Sequence, residues 1–181
     1  MPFSFKPLSI PEVILVTPAV FPDDRGFFLE AFKVSDFAEA GLPTCFVQDN
    51  VSFSRKDVIR GLHYQKNPKA QGKLVSVLKG GVWDVAVDIR RQSPTFLEWV
   101  ATELNDQSHA MLYIPPGFAH GFAALTGDVH LLYKCTSEYD PQADAGIRWD
   151  DPTIAVSWPV GRPILSDKDR RLPLVAQAEV F

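Results

Sequence analysis

Two histidines stand in segments whose neighbours can put an imidazole to chemical use. His63 lies in Arg60-Gly61-Leu62-His63-Tyr64-Gln65, with Lys73 downstream, and His120 closes Pro115-Pro116-Gly117-Phe118-Ala119-His120. Imidazole has a reference pKa of about 6.5, so it can take up or release a proton near neutrality, and its neutral form also ligates metals. The two uses call for different companions. A divalent first-row metal wants three or four His, Cys or carboxylate donors. Here Gln65 follows His63 at the alternate position, and Arg60 and Lys73 stand close by as cations that would repel a metal. Proton transfer suits this set better. The bland alternative is that each histidine is a packed, hydrogen-bonded residue of a β protein. Tyr133, inside Leu131-Leu132-Tyr133-Lys134-Cys135, and Asp169, inside Asp167-Lys168-Asp169-Arg170-Arg171, have bland alternatives too: a strand tyrosine used for packing and a solvated charge.

The elements that must carry these groups read as short strands. Val13–Val16, Leu74–Leu78, Val82–Ile89, Trp99–Leu104 and Val129–Cys135 are apolar runs rich in β-branched and aromatic residues. In one of them Trp83, Val85 and Val87 alternate with Val82, Asp84 and Asp88, a period of two. Turn signals separate the runs: Lys79-Gly80-Gly81, Ser93-Pro94, Asn105-Asp106 and Thr126-Gly127-Asp128. Helix is expected only over Val34 to Ala40, with Ser35 as candidate cap and Gly41-Leu42-Pro43 as stop, and near Asp167–Arg171. Residues 172–181 show no strong pattern. Many short strands in a chain of 181 residues, without linker or repeat, predict one domain over 1–181 built as a sandwich or barrel, and a jelly roll fits.

Bulk properties narrow the function further. Hydrophobic residues at 46% and charged residues at 22% are ordinary for a folded domain and argue against disorder. A net charge of −4 supplies no general basic field for a nucleic-acid backbone. Cys45 and Cys135 are too few for a disulfide framework and are read as buried thiols of a reducing compartment. No basic region followed by an apolar run opens the chain, and no apolar stretch nears the roughly 20 residues of a membrane span. A cytoplasmic protein without a nucleic-acid or membrane partner is expected.

The segments around His63 and His120 have the outline of the two cupin motifs, in which barrel strands present histidines to the lumen. A metal-binding cupin would carry His-x-His and then Glu in the first motif. This chain has His63-x-Gln65, with Lys69 or Ala70 where the Glu belongs. The resemblance implies an all-β, cupin-type jelly-roll β-barrel with a few short helices and no metal.

A closer resemblance, from about Pro7 to Arg171, is to the dTDP-4-dehydrorhamnose 3,5-epimerase family. It rests on Asp24-Arg25-Gly26-Phe27-Phe28-x-Glu30, Gln48-Asp49-Asn50-x-Ser52, the His63 segment, Gln71-Gly72-Lys73-Leu74-Val75, and Pro115 through Phe122. It continues in Tyr133-Lys134, Tyr139-Asp140-Pro141, Ile147-Arg148-Trp149 and Leu165-Ser166-Asp167-Lys168-Asp169. The resemblance implies an isomerase, needing neither redox cofactor nor metal, that acts on a dTDP-linked 4-keto-6-deoxyhexose. The ketone acidifies C3–H and C5–H; a base removes a proton, an enolate forms, and an acid reprotonates the opposite face.

What the resemblance implies about residues is specific. His63 is the base, Asp169 orients it, Lys73 stabilises the enolate oxygen, and Tyr133 is the proton donor on the other face. Arg25, Arg60 and Lys168 are implied ligands of the pyrophosphate or its neighbours. Glu30, Gln48, Asp49, Asn50 and Asp144 are implied polar contacts to nucleoside or sugar. Phe27 and Tyr139 are implied to sandwich the thymine. His120 either touches the sugar or supports His63. The Arg25-Gly26-Phe27 segment is implied to come from the neighbouring subunit of a homodimer with shared sites. Asp144 stands where many members carry Glu, and Ala145 replaces a basic residue. Three alternatives remain open at this point: an epimerase of C3 or C5 alone in another deoxysugar pathway, a metal-dependent cupin, and a non-catalytic sugar-nucleotide binder.

Overall fold

A computed structural model describes residues 2–181. Thirteen strands form in chain order: β1 (Phe3–Pro7), β2 (Ile14–Pro18), β3 (Val20–Asp23), β4 (Gly26–Leu29), β5 (Gln48–Ser54), β6 (Ile59–Gln65), β7 (Lys73–Lys79), β8 (Gly81–Asp88), β9 (Trp99–Asn105), β10 (Met111–Ile114), β11 (Phe118–Ala124), β12 (Val129–Cys135) and β13 (Asp144–Gly146). Six make one sheet, in the order β1-β2-β10-β7-β12-β5. Five make the facing sheet, β13-β6-β11-β8-β9, and β3–β4 is a separate hairpin. All pairings between these strands are antiparallel. This is a two-sheet jelly roll, one of the sandwich or barrel forms that the strand spacing allows and the one the resemblance implies.

The two inner faces meet in one core. Val75, Val77, Leu112, Ile114 and Leu131 of the larger sheet pack against Val82, Ala86, Leu104, Phe118 and Phe122 of the smaller one. The outer faces are covered as well. A short helix, α1 (Val34–Glu39), lays Phe37 over the larger sheet beside Phe3, Val16 and Leu74. Val85, Val87 and Ile89 of the smaller sheet are covered by Ile147, Ile154 and the tail residues Val175 and Ala178. Both faces of β8 are therefore buried, and Asp84 and Asp88 are fully buried rather than on a solvent face as simple alternation suggests. Burial on both sides follows from loop and tail segments packing where a two-layer sandwich would leave water.

Two local expectations are corrected. Lys33 rather than Ser35 is the N-cap of α1, and no side chain caps it; Ser35 lies inside the first turn and donates to Asp36 at 3.2 Å. The stop is as read. Gly41 takes φ +71°, and Leu42 N–H returns to Phe37 C=O at 2.9 Å, closing the helix end. Cys135 is buried, but Cys45 is exposed, because it sits in the irregular connection between α1 and β5, outside either sheet. The tail without a sequence pattern holds a 3₁₀ turn, Val175–Gln177. It is tied by Val175 N–H to the buried Asp151 carboxylate at 2.7 Å and by a paired contact of Phe181 with Ile89 and Arg91. No helix among the described residues is long and apolar enough to cross a membrane.

Candidate active site

A cavity of about 390 Å³ opens between the two sheets. The period of two explains which side chains reach it. On β5, Gln48, Asn50 and Ser52 line the cavity, while Asp49, Val51 and Phe53 alternate outward. On β12 and β7, Tyr133 and Lys73 face the same way; Lys73 pairs with Cys135 and Tyr133 with Asn50 across the ladder. From the opposite sheet β6 brings His63 and β11 brings His120, cross-strand partners in register. Beyond His120 the register shifts. There Gly61 takes φ +122°, and a Cβ on it would stand 2.5 Å from Gly121 Cα and 2.7 Å from His120 O. Glycine at 61 therefore lets the two histidine-bearing strands approach.

The histidines are held by carboxylates. His63 Nε2 lies 2.5 Å from Asp169 Oδ1, and Asp169, though embedded in a run of charges, is 3% exposed. It sits on a second short helix, α2 (Asp167–Arg170), capped by Ser166, whose Oγ contacts both the Asp169 N–H and Asp169 Oδ2. With Nε2 donating to Asp169, the lone pair of the neutral ring is left on Nδ1. Burial opposes the charge on Asp169, but the His63 contact, Ser166 and Lys168 outweigh it and hold the carboxyl below its ordinary value. His120 Nε2 rests between Asp84 Oδ1 and Oδ2 at 3.0 and 3.1 Å, and both residues are buried.

Opposite them are a cation and a phenol. Burial pushes the Lys73 ammonium below its usual range, against the pull of Cys135, Asp84 and Asp144; its nearest hydrogen-bond acceptor is His63 C=O at 3.5 Å. Burial also pushes the Tyr133 phenol up, with Cys135 adding and Arg60 opposing, so Tyr133 keeps its proton at neutral pH. A carbon acid lying in the cavity would have an imidazole lone pair on one side and a phenolic proton on the other. The buried Lys73 lines the same cavity, beside the His63 backbone carbonyl. Among the described residues no three His, Cys, Asp or Glu side chains gather to hold a metal ion.

The residues of the first cupin-like motif have taken on other work. Gln65, where a metal-binding cupin has its second histidine, donates to Lys69 C=O and Glu138 C=O and accepts from Asp140 N–H at 2.7 Å. Gln48 accepts from Tyr139 N–H at 2.7 Å. Two amides, one from each sheet, thus hold the loop that carries Tyr139 at the cavity mouth.

Comparison with known proteins decides the family. The dTDP-4-dehydrorhamnose 3,5-epimerase family matches residues 7–177. The chain belongs to that family. A dTDP-4-dehydrorhamnose 3,5-epimerase of Shigella flexneri is 51% identical over 96% of this chain and 96% of its own. The crystal structure of the dTDP-4-dehydrorhamnose 3,5-epimerase from Sulfolobus tokodaii superposes with a TM-score of 0.94 at 50% identity, covering 100% of this chain and 99% of that one. A dTDP-6-deoxy-D-glucose-3,5-epimerase of Legionella pneumophila, solved in complex with dTDP-4-keto-L-rhamnose, gives 0.93 at 44% identity, covering 97% and 94%. The fold is thus the cupin-type jelly roll of these isomerases.

Within this epimerase-family fold, ten of the anticipated residues line one cavity: Gln48, Asn50, Arg60, His63, Lys73 and His120, then Tyr133, Tyr139, Asp144 and Lys168. Asp169 joins them through His63. Asp144 accepts from Lys168 Nζ at 2.5 Å and from the Tyr139 hydroxyl at 3.3 Å. Four residues do not reach the cavity of their own chain. Asp49 points outward and pairs with Lys134 at 2.8 Å, because alternation on β5 sends it to the other face. Arg25 and Phe27 sit on the β3–β4 hairpin; the Arg25 side chain is 90% exposed and pairs only with Asp23, and Phe27 packs on His109. Glu30 follows that hairpin, with one carboxylate oxygen buried and unpartnered. Asp84 and Ser166 were not singled out from sequence. A carboxylate inside an apolar strand, and Ser three residues before Asp at a helix start, were the available signals.

Proposed function

We propose that this chain converts dTDP-4-dehydro-6-deoxy-D-glucose to dTDP-4-dehydro-L-rhamnose by epimerising C3 and C5 through enolates. The observation that carries this reading is the opposition of the His63–Asp169 pair on one sheet to Tyr133 on the other, across a cavity into which Lys73 is buried. Inversion requires the proton to leave from one face and return to the other. His63 Nδ1 takes the proton α to the ketone, and Asp169 stabilises the imidazolium that forms. The electron pair moves onto the C4 oxygen, where Lys73 meets a charge that is largest on the way to the enolate. Tyr133 protonates the carbon from the opposite side; His63 then releases its proton to solvent, the Tyr133 phenolate takes one from solvent, and the same groups act at the second carbon. Arg60 and Lys168 attract the diphosphate, with Lys168 exchanging its pairing with Asp144, and Tyr139 offers an exposed ring to the base.

The functional unit in this reading is a homodimer. Arg25 and Phe27 do not reach the cavity of their own subunit, and Phe21, Phe27 and Phe28 are each more than half exposed, an apolar patch suited to a second copy. The hairpin then supplies Arg25 and Phe27 to the neighbour's cavity, and Glu30 comes with it. The free thiols of Cys45 and Cys135 suit a cytoplasmic setting.

The test is incubation with dTDP-4-dehydro-6-deoxy-D-glucose in deuterated water. Deuterium and inversion at both C3 and C5 are expected. Label at one carbon alone would assign a single-site epimerase, and label at neither would overturn the enolate mechanism.

A further inference from the structure

We propose that Ser166 is a positioning residue for proton transfer at His63: its hydroxyl holds the Asp169 carboxylate in the orientation that leaves Oδ1 to the imidazole. The inference rests on the reading of His63 as the base.

A serine hydroxyl has one proton and two lone pairs. Ser166 Oγ accepts from the Asp169 backbone N–H at 3.0 Å, so its own proton is free to go to Asp169 Oδ2 at 2.8 Å. Both contacts are to one residue. They close a ring from the Asp169 backbone through the serine to the Asp169 side chain, and the carboxylate cannot turn without opening it. The remaining oxygen, Oδ1, faces His63 Nε2 at 2.5 Å.

Helix capping accounts for only one of these contacts. An N-cap needs an acceptor for an orphan backbone N–H. In a capping box the residue three positions on would reach back to the N-cap N–H. Asp169 occupies that position, yet its carboxylate turns inward to His63, and the serine proton follows it. The donation to Oδ2 is therefore extra to the cap. Ser166 is exposed while Asp169 behind it is buried, so a change at 166 removes no core volume.

Ser166→Gly and Ser166→Thr separate the two roles. Glycine is a tolerable N-cap but offers no donor, and threonine keeps both donor and acceptor. Losing one hydrogen bond to a charged group is expected to lower kcat of Ser166→Gly roughly tenfold. Its KM should stay near wild type and its melting temperature should fall by only a few degrees, and Ser166→Thr should keep kcat within about twofold. Wild-type kcat in Ser166→Gly would overturn the proposal, as would a kcat loss in Ser166→Thr equal to that in Ser166→Gly. His63→Ala, run alongside, isolates the underlying reading. If it is inactive while Ser166→Gly is unimpaired, only the role of Ser166 falls; if it turns over normally, the base assignment falls and takes the proposal with it.

Discussion

Asp169→Asn probes the pair on which the proposed reaction depends. The substitution keeps shape and volume at a residue that is 3% exposed, so the fold should survive. Two things change. When His63 takes a proton it becomes a cation, and the partner 2.5 Å from Nε2 is then neutral. Unit charges with centres about 4 Å apart, at an effective dielectric of about 20, attract by roughly 4 kcal/mol, which is about a thousandfold in rate. In addition, the asparagine amide can donate to Nε2 and so favour the ring tautomer whose Nδ1 already carries a proton and cannot act as base. The expected outcome is a kcat lowered roughly a thousandfold, with KM for the dTDP-sugar little changed, because Asp169 lines none of the binding cavity. The assay is coupled turnover together with deuterium wash-in at C3 and C5, both of which should fall in step. A kcat within tenfold of wild type, in a variant whose melting temperature is unchanged, would refute the claim that Asp169 stabilises the His63 cation.

Tyr133→Phe removes the proposed proton donor and leaves the proposed base. Product formation should fall roughly a hundredfold or more, while deuterium wash-in from the His63 side persists; equal losses in both would remove Tyr133 from the role of acid. Arg25→Ala and His63→Ala should each be inactive as homodimers, yet mixing them by co-expression should restore turnover, since each mixed dimer holds one intact site. No recovery in a verified mixed dimer would place Arg25 and His63 in sites of the same chain. At Asp88, burial opposes ionisation, but Arg90, Ser93 and Thr95 outweigh it and bring the carboxyl from 3.8 down to about 2. The stabilisation is therefore present above about pH 4 and is lost as pH falls through about 2, at most about 2 kcal/mol. Asp88→Asn should lower the melting temperature at pH 7 and flatten its decline between about pH 4 and 2; an unchanged acid limb would sink this account.

The chain's local patterns fixed a good deal. Period-two alternation on β8 and the intervening turns are local properties, so strands, turns and a sandwich-or-barrel class were legible, while the jelly roll itself came from the family resemblance. So were the two histidine segments, because their glycines and prolines encode backbone geometry. Alternation says that Gln48 and Asn50 part company with Asp49; it does not say which set faces the lumen. Only the meeting of the two sheets decides that, and it turned Asp49 outward. The same holds for Asp84, whose strand proved buried on both faces. Asp169 and His63 are 106 residues apart, and composition alone does not separate Asp169 from the solvated charges beside it; only its place in the Leu165–Asp169 motif, with Ser166 three residues before it, marks it out. It becomes a buried partner because the segment after β13 folds back over β6, a consequence of apolar contacts such as those of Ile147 and Val175 with the outer face of the smaller sheet. The hairpin residues Arg25 and Phe27 show where even one chain's tertiary structure stops: their side chains meet no cavity of their own, since the surface they complement belongs to a second copy in the proposed dimer. Spacing along the chain sets which groups can share a face. Burial, summed over segments far apart in sequence, sets which face becomes the site.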